Sequence, residues 1–163
     1  MTKRGGVRPS VNRAEPPDFH RMDARRFEQM TCSLLDKVKD ASEADLYAPT
    51  RQRQYGIDAW ARYRGGRIVA SCKCQAKVRK GEVAQWTADF LDHWESHWRA
   101  EGVKHFILVV AAPMHSQQRI DDIATARAAF AAVGVEFEIW SPVQLQERLR
   151  DQPGIVSQYL EQY

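Results

Sequence analysis

One carboxylate and one ammonium, Asp58 and Lys73, lie on either side of a Gly65-Gly66 pair, each within a run of strand-forming residues. Phosphodiester hydrolysis calls for such a pair. Carboxylate oxygens are the ligands magnesium prefers, the metal polarises the phosphoryl oxygen and activates water, and a neighbouring cation stabilises the charge that develops. Glu28 offers a second acid. It sits at the apolar margin of a helical stretch, with Cys32 four and Leu35 seven residues on, where a half-buried carboxylate needs a cation or a metal. The competing role is an ordinary helix-start glutamate, held by the macrodipole or by an arginine.

The elements that must bring these groups together can be read from patterning. Residues 57–64 and 67–77 read as two strands joined by a two-residue turn at Gly65-Gly66. If Arg64 faces Arg67, Asp58 lies across from Lys73, Trp60 from Ser71 and Gly56 from Gln75. Asp58, Ser71, Lys73 and Gln75 then share one face. Ile57, Ala59, Ala61, Tyr63, Ile68, Ala70, Cys72 and Cys74 share the other, an apolar surface for helices to cover. A helix capped by Asp23 over 24–39 precedes the hairpin, with Phe27, Met30, Thr31, Leu34, Leu35 and Val38 at helical spacing, and 44–48 can form a short strand.

In this order, Phe27-Glu28 on an opening helix, Gly56-Ile57-Asp58 entering a strand, a hairpin, and a lysine followed by a basic turn and helix resemble the PD-(D/E)xK nuclease superfamily. Within it, they resemble the Mrr-like restriction endonuclease group, over residues 19–140. The resemblance implies that Asp58 is the central metal ligand, Glu28 a further ligand or supporting acid, and Lys73 the catalytic lysine. It also implies that the Cys72 main-chain carbonyl completes coordination of Mg2+ or Mn2+. The chain departs from the pattern two residues before Lys73, where the family has Glu, Asp or Gln and this sequence has Ser71. A neutral hydroxyl is a weaker ligand, so the departure lowers the expected metal affinity and turnover. Gln75 is the expected substitute on the same face. A motif shifted to Gln75-Ala76-Lys77 is disfavoured, because those residues fall near or past the strand's end.

Arg51, Arg53, Lys77, Arg79 and Lys80 bracket the row in loops where they can meet phosphates, and Gln54 can orient substrate. Charge is uneven: residues 1–80 hold 18 Lys and Arg against 9 Asp and Glu, and residues 81–163 hold 6 against 12. One basic face attracts a phosphate backbone. Residues 1–18, with Gly5, Gly6, Pro9, Pro16 and Pro17, read as a flexible basic arm, and 19–163 as a single nuclease-like domain.

After Gly81 the spacing predicts a long helix over 82–100 with Val83, Trp86, Phe90, Leu91, Trp94 and Trp98 on its apolar side, which is core or dimer surface. His93 and His97 lack the glutamate of a zinc-protease motif and read as a polar helix face. Residues 106–112 form a buried strand, followed by a helix over 117–132, a strand over 136–140, and helices from about 142 and 154. This order gives an α/β fold, a restriction-endonuclease-like mixed sheet flanked by helices on both faces. Three cysteines without a secretion signal read as reduced thiols, with Cys72 and Cys74 packing as small apolar residues. The expected setting is a cytoplasmic DNA endonuclease. Its expected partner is double-stranded DNA, and it is a homodimer or the effector part of a larger restriction or anti-phage defence protein. The alternative is a catalytically weakened nucleic-acid-binding module on the same fold.

Overall fold

The computed structural model describes residues 15–47, 55–114 and 116–161. Five strands form one mixed sheet in chain order: β1 (Ala41–Leu46), β2 (Ala59–Tyr63), β3 (Gly66–Lys73), β4 (Val103–Val110) and β5 (Glu136–Trp140). The first three are antiparallel, and β3, β4 and β5 are parallel. The parallel half needs crossovers, which α2 (Glu82–Leu91) and α3 (Gln117–Ala131) supply. α1 (Ala24–Leu35), α4 (Pro142–Arg150) and α5 (Pro153–Tyr159) complete the chain.

Alternation along the central strands divides the interior in two. Ile107 and Val109 of β4 join Ala59, Ala61, Tyr63, Ile68 and Ala70 beneath α1, α4 and α5. Phe106, Leu108 and Val110 join Val69 and Phe137 beneath α2 and α3. Every β4 residue from Phe106 to Val110 is fully buried, as parallel pairing on both sides requires. The α/β class with helices on both faces is therefore correct.

Two helices are shorter than their patterns suggest. α1 starts where expected, with the Asp23 carboxylate accepting from the Arg25 and Arg26 amides, but ends at Leu35 rather than 39. α2 ends at Leu91, and Trp94–Trp98 then form a π-helical turn instead of continuing the α-helix to 100. β1 spans Ala41–Leu46 rather than 44–48, and β4 begins at Val103, three residues before the predicted strand.

The hairpin is real, but its register differs. Tyr63 pairs with Gly66 and Ala59 with Ala70, so the turn residues are Arg64 and Gly65. Both have positive φ, 48° and 78°, the pair of left-handed conformations that matches strand twist in a two-residue turn. Gly66 belongs to the strand, and only glycine fits there because a Cβ would run into the Gly102 carbonyl oxygen. Trp60 consequently faces Val69, not Ser71. The slip is two residues in the partner, so the parity of faces survives and only the pairings move.

Candidate functional site

Asp58 lies just before β2. Its backbone N–H donates to the Ala70 carbonyl at 2.9 Å and its carbonyl accepts from the Tyr47 N–H at 2.8 Å. Beyond Ala59 there is no β2 ladder for β3 to pair with, and the Asp58 side chain takes over. Its Oδ2 accepts the Cys72 N–H at 2.7 Å. Expected pairing of Asp58 with Lys73 and of Gly56 with Gln75 is thus replaced by a side-chain cap on the exposed edge of β3. Ile57, expected beside Ala59, packs instead with Val69, Val83 and Phe90 on the α2 side. Positive φ at Tyr55 (59°) and Gly56 (79°) breaks the alternation there.

Lys73 ends β3 on the α2 face, with its Nζ 5.4 Å from the centroid of the Trp86 ring. The ring's negative face holds the ammonium near the end of the sheet. Backbone alternation also orients Cys72. The Lys73 carbonyl accepts from Ala111 of the segment after β4, so the N–H and C=O of Cys72 turn the other way, toward Asp58.

Glu28 approaches from α1. Its side chain is 26% exposed and Arg25 stands 3.9 Å away, so the helix-start ion pair is present. Glu28 is nevertheless part of the same neighbourhood, as the Cys72 thiol reveals. Burial pushes that thiol well above its ordinary pKa and the Asp58 carboxylate adds to the rise. The Thr31 hydroxyl opposes it, Glu28 raises it further and Lys73 lowers it. The Cys72 thiol is therefore within Coulombic range of Asp58, Glu28 and Lys73, although Lys73 extends to Trp86 on the α2 face and Glu28 comes from α1.

Other expected members fall elsewhere. Ser71 is 2% exposed, within the sheet opposite Leu108, so its hydroxyl is enclosed rather than presented. Gln75 lies two residues past β3 and does not extend the row. Its amide donates to the Lys77 carbonyl at 2.7 Å and to Glu82 at 2.9 Å, fixing the turn into α2. Lys77, Arg79 and Lys80 are exposed on that turn. Arg51, Arg53 and Gln54, and His115, lie outside the described residues. Among the described residues, no group of three or more His, Cys, Asp or Glu side chains stands close enough to hold a metal ion, so Glu28, Asp58 and Cys72 do not form a three-side-chain cage.

The chain matches no known protein family, no characterised protein and no solved structure. What its end-of-sheet cluster can do must be argued from its own atoms. The Asp58 carboxylate and the Cys72 carbonyl, which turn to the same side of β3, are oxygens of the kind a hard cation takes. No helix among the described residues is long and apolar enough to cross a membrane. All three thiols, Cys32, Cys72 and Cys74, are free.

Several contributors escaped the sequence reading. Glu82 accepts from the Arg79 N–H at 2.6 Å as well as from Gln75, and its place just after Gly81 at a helix start was the available signal. Arg119 at the start of α3 donates to the Val78 carbonyl and to Ser116 Oγ, pinning the basic turn from 41 residues away. No local pattern announces such a contact. His93 and His97 are not a plain polar face: Tyr55 stacks on both, with ring centroids 4.1 and 4.8 Å apart. Trp98 is fully buried, which makes the tryptophan side of this stretch core.

Proposed function

We propose that this chain is a Mg2+- or Mn2+-dependent DNA endonuclease domain with a restriction-endonuclease-like fold. The bond that ties Asp58 to the Cys72 amide, with Lys73 the next residue at the end of β3 and Glu28 within Coulombic range of the Cys72 thiol, carries the reading. In it, Asp58, Glu28 and the Cys72 carbonyl would hold the metal, which would polarise the scissile phosphate and lower the pKa of bound water. Lys73 orients that water and stabilises charge on the phosphate, while its contact with Trp86 limits its wandering. Lys77, Arg79 and Lys80 meet phosphates beside the cut and set register without reading sequence. A homodimer, or a larger defence protein carrying this domain in the cytoplasm, is the setting in which both strands would be cut.

Ser71 favours a second reading. An enclosed neutral hydroxyl supplies no charge where the resembled family supplies an acid or Gln, which suits a nucleic-acid-binding module with weak or no turnover. Conversion of supercoiled plasmid to nicked and linear forms with Mg2+ or Mn2+ separates the two. The nuclease reading requires nicking by the parent protein that disappears in Asp58→Ala and Lys73→Ala. Salt-sensitive binding without nicking in the parent replaces it with the binding module.

A further inference from the structure

We propose that His97 is a positioning residue for Asp58, acting through the two tyrosines that flank residues 48–54; its importance for catalysis rests on the nuclease reading. The Tyr47 hydroxyl and His97 Nε2 are hydrogen-bonded at 3.2 Å. The same imidazole lies 4.8 Å from the Tyr55 ring, and His93 closes on Tyr55 from one helical turn earlier at 4.1 Å. Tyr47 and Tyr55 in turn bracket Asp58. The Tyr47 N–H donates to the Asp58 carbonyl, and Tyr55 begins the Tyr55-Gly56-Ile57 approach to it.

That approach cannot hold itself. Tyr55 and Gly56 are consecutive left-handed residues, a conformation unfavourable for tyrosine that persists only when its surroundings impose it. The imidazoles of His93 and His97 are those surroundings. His93 is itself fixed, its Nδ1 3.1 Å from the Asp89 carbonyl.

The local helix geometry points the same way. Trp98 N–H donates to the His93 carbonyl and Arg99 N–H to that of Trp94, the five-residue spacing of a π-turn, which is rare and concentrates at functional sites. The extra residue brings His97 beneath both tyrosines while Trp98 stays fully buried, 5.5 Å from Tyr47 and 5.9 Å from Tyr55. Trp98 fills the core, and His97 adds a polar hold on the chain leading to Asp58.

The Cys72 amide reports Asp58 placement whether or not the protein cuts DNA, because its hydrogen goes to Asp58 Oδ2. Amide exchange followed by NMR in the intact chain is the test, with Asp58→Ala as the reference for a lost bond. His97→Ala should speed Cys72 exchange roughly tenfold or more while the Ile107 and Leu108 amides of β4 keep their protection. His97→Gln, which can still bond the Tyr47 hydroxyl, should restore most of it, and Tyr47→Phe should reproduce part of the loss. Unchanged Cys72 exchange in His97→Ala overturns the proposal, as does a loss shared equally by β4 or one that glutamine does not repair. In plasmid nicking, His97→Ala should lower kcat about 10- to 100-fold with little change in KM. A parent that never nicks, combined with the predicted exchange pattern, sinks the nuclease reading while upholding the positioning of Asp58 by His97.

Discussion

The Asp58 carboxylate stands in for a missing strand: its Oδ2 accepts the Cys72 N–H at 2.7 Å just before β2 begins. A charge-assisted bond from a strand amide fixes the carboxylate that the nuclease reading makes a metal ligand. Structure and chemistry thus make separate demands on one side chain, and substitutions can pull them apart.

Asp58→Asn keeps an oxygen for the Cys72 amide but loses the charge, whereas Asp58→Ala loses both. Under the nuclease reading, nicking should fall at least about a hundredfold in each. Stability should separate them, with the alanine variant losing about 1–3 kcal/mol by leaving the amide without its partner and the asparagine variant staying closer to the parent. Urea unfolding of the three proteins measures this. Equal stability of Asn and Ala variants would show that the bond contributes little.

In the nuclease reading, Lys73 matters for turnover more than its Trp86 contact matters for folding. Its ammonium rests against Trp86 at the end of the sheet, an arrangement worth on the order of 0.5–1 kcal/mol. Under the nuclease reading, Lys73→Met should make nicking undetectable, while loss of the Trp86 contact alone costs on the order of 0.5–1 kcal/mol of stability. Retained nicking in Lys73→Met would remove the lysine from the chemistry. Under the nuclease reading, Ser71→Ala should leave nicking within a few-fold, since its hydroxyl is enclosed in the sheet.

Helical and strand periods made the α/β order legible, because Phe27, Met30 and Leu34, or the unbroken apolar run of β4, admit few other placements. The hairpin was legible as a hairpin but not in register, since Gly65-Gly66 offers two adjacent turns of nearly equal local merit. The turn falls on Arg64-Gly65, and Gly66 sits in the strand against the Gly102 carbonyl, a close approach with no sequence signature. Ser71 and Lys73 keep the shared face expected of them because parity survives a two-residue slip. Gln75 was misplaced because strand propensity continues past Lys73, where hydrogen bonds to Lys77 and Glu82 end the strand instead. The π-turn at Trp94–Trp98 was invisible: its residues keep helical spacing, and only the buried fit of Trp98 among Tyr47, Tyr55 and Phe90 selects the wider turn.

Glu138 provides a test of stability against pH at the opposite end of the sheet. Burial resists its ionisation, yet hydrogen bonds from His105, Trp140 and Arg148, with the Arg148 charge, outweigh that and lower its pKa from 4.5 to about 2. A carboxylate depressed in the folded state adds stability above the unfolded pKa, and that stability drains away as pH falls from about 4.5 toward 2. Because the side chain is one-third exposed, screening reduces the effect to about 1–2 kcal/mol. Glu138→Gln should flatten this part of the stability curve. A variant that loses stability between pH 5 and 2 as steeply as the parent would assign the acid transition to other groups.

Thiol reactivity offers a check on burial around α1. Cys32 is pushed up to about 11, by burial first and then by Asp45 and Asp36. At neutral pH its thiolate fraction is then on the order of one in ten thousand, so iodoacetamide should modify it far more slowly than a free cysteine. Asp45→Asn should quicken the reaction modestly by removing one negative neighbour. Labelling of folded Cys32 at the rate of a model thiol would mean that α1 opens readily.

DNA binding should carry the signature of the exposed turn between β3 and α2. If Lys77, Arg79 and Lys80 each neutralise a phosphate, replacing all three with alanine should reduce the slope of log affinity against log salt by up to about 2.7. Arg119 acts differently, because its guanidinium reaches the Val78 carbonyl and Ser116 rather than solvent phosphate. Arg119→Ala should weaken binding by loosening the turn while changing the salt slope by less than about one phosphate equivalent. Fluorescence anisotropy with a short duplex across a salt series distinguishes the two. An unchanged slope in the triple variant would place the phosphate contacts on another surface, whatever the fate of the Asp58 and Lys73 chemistry.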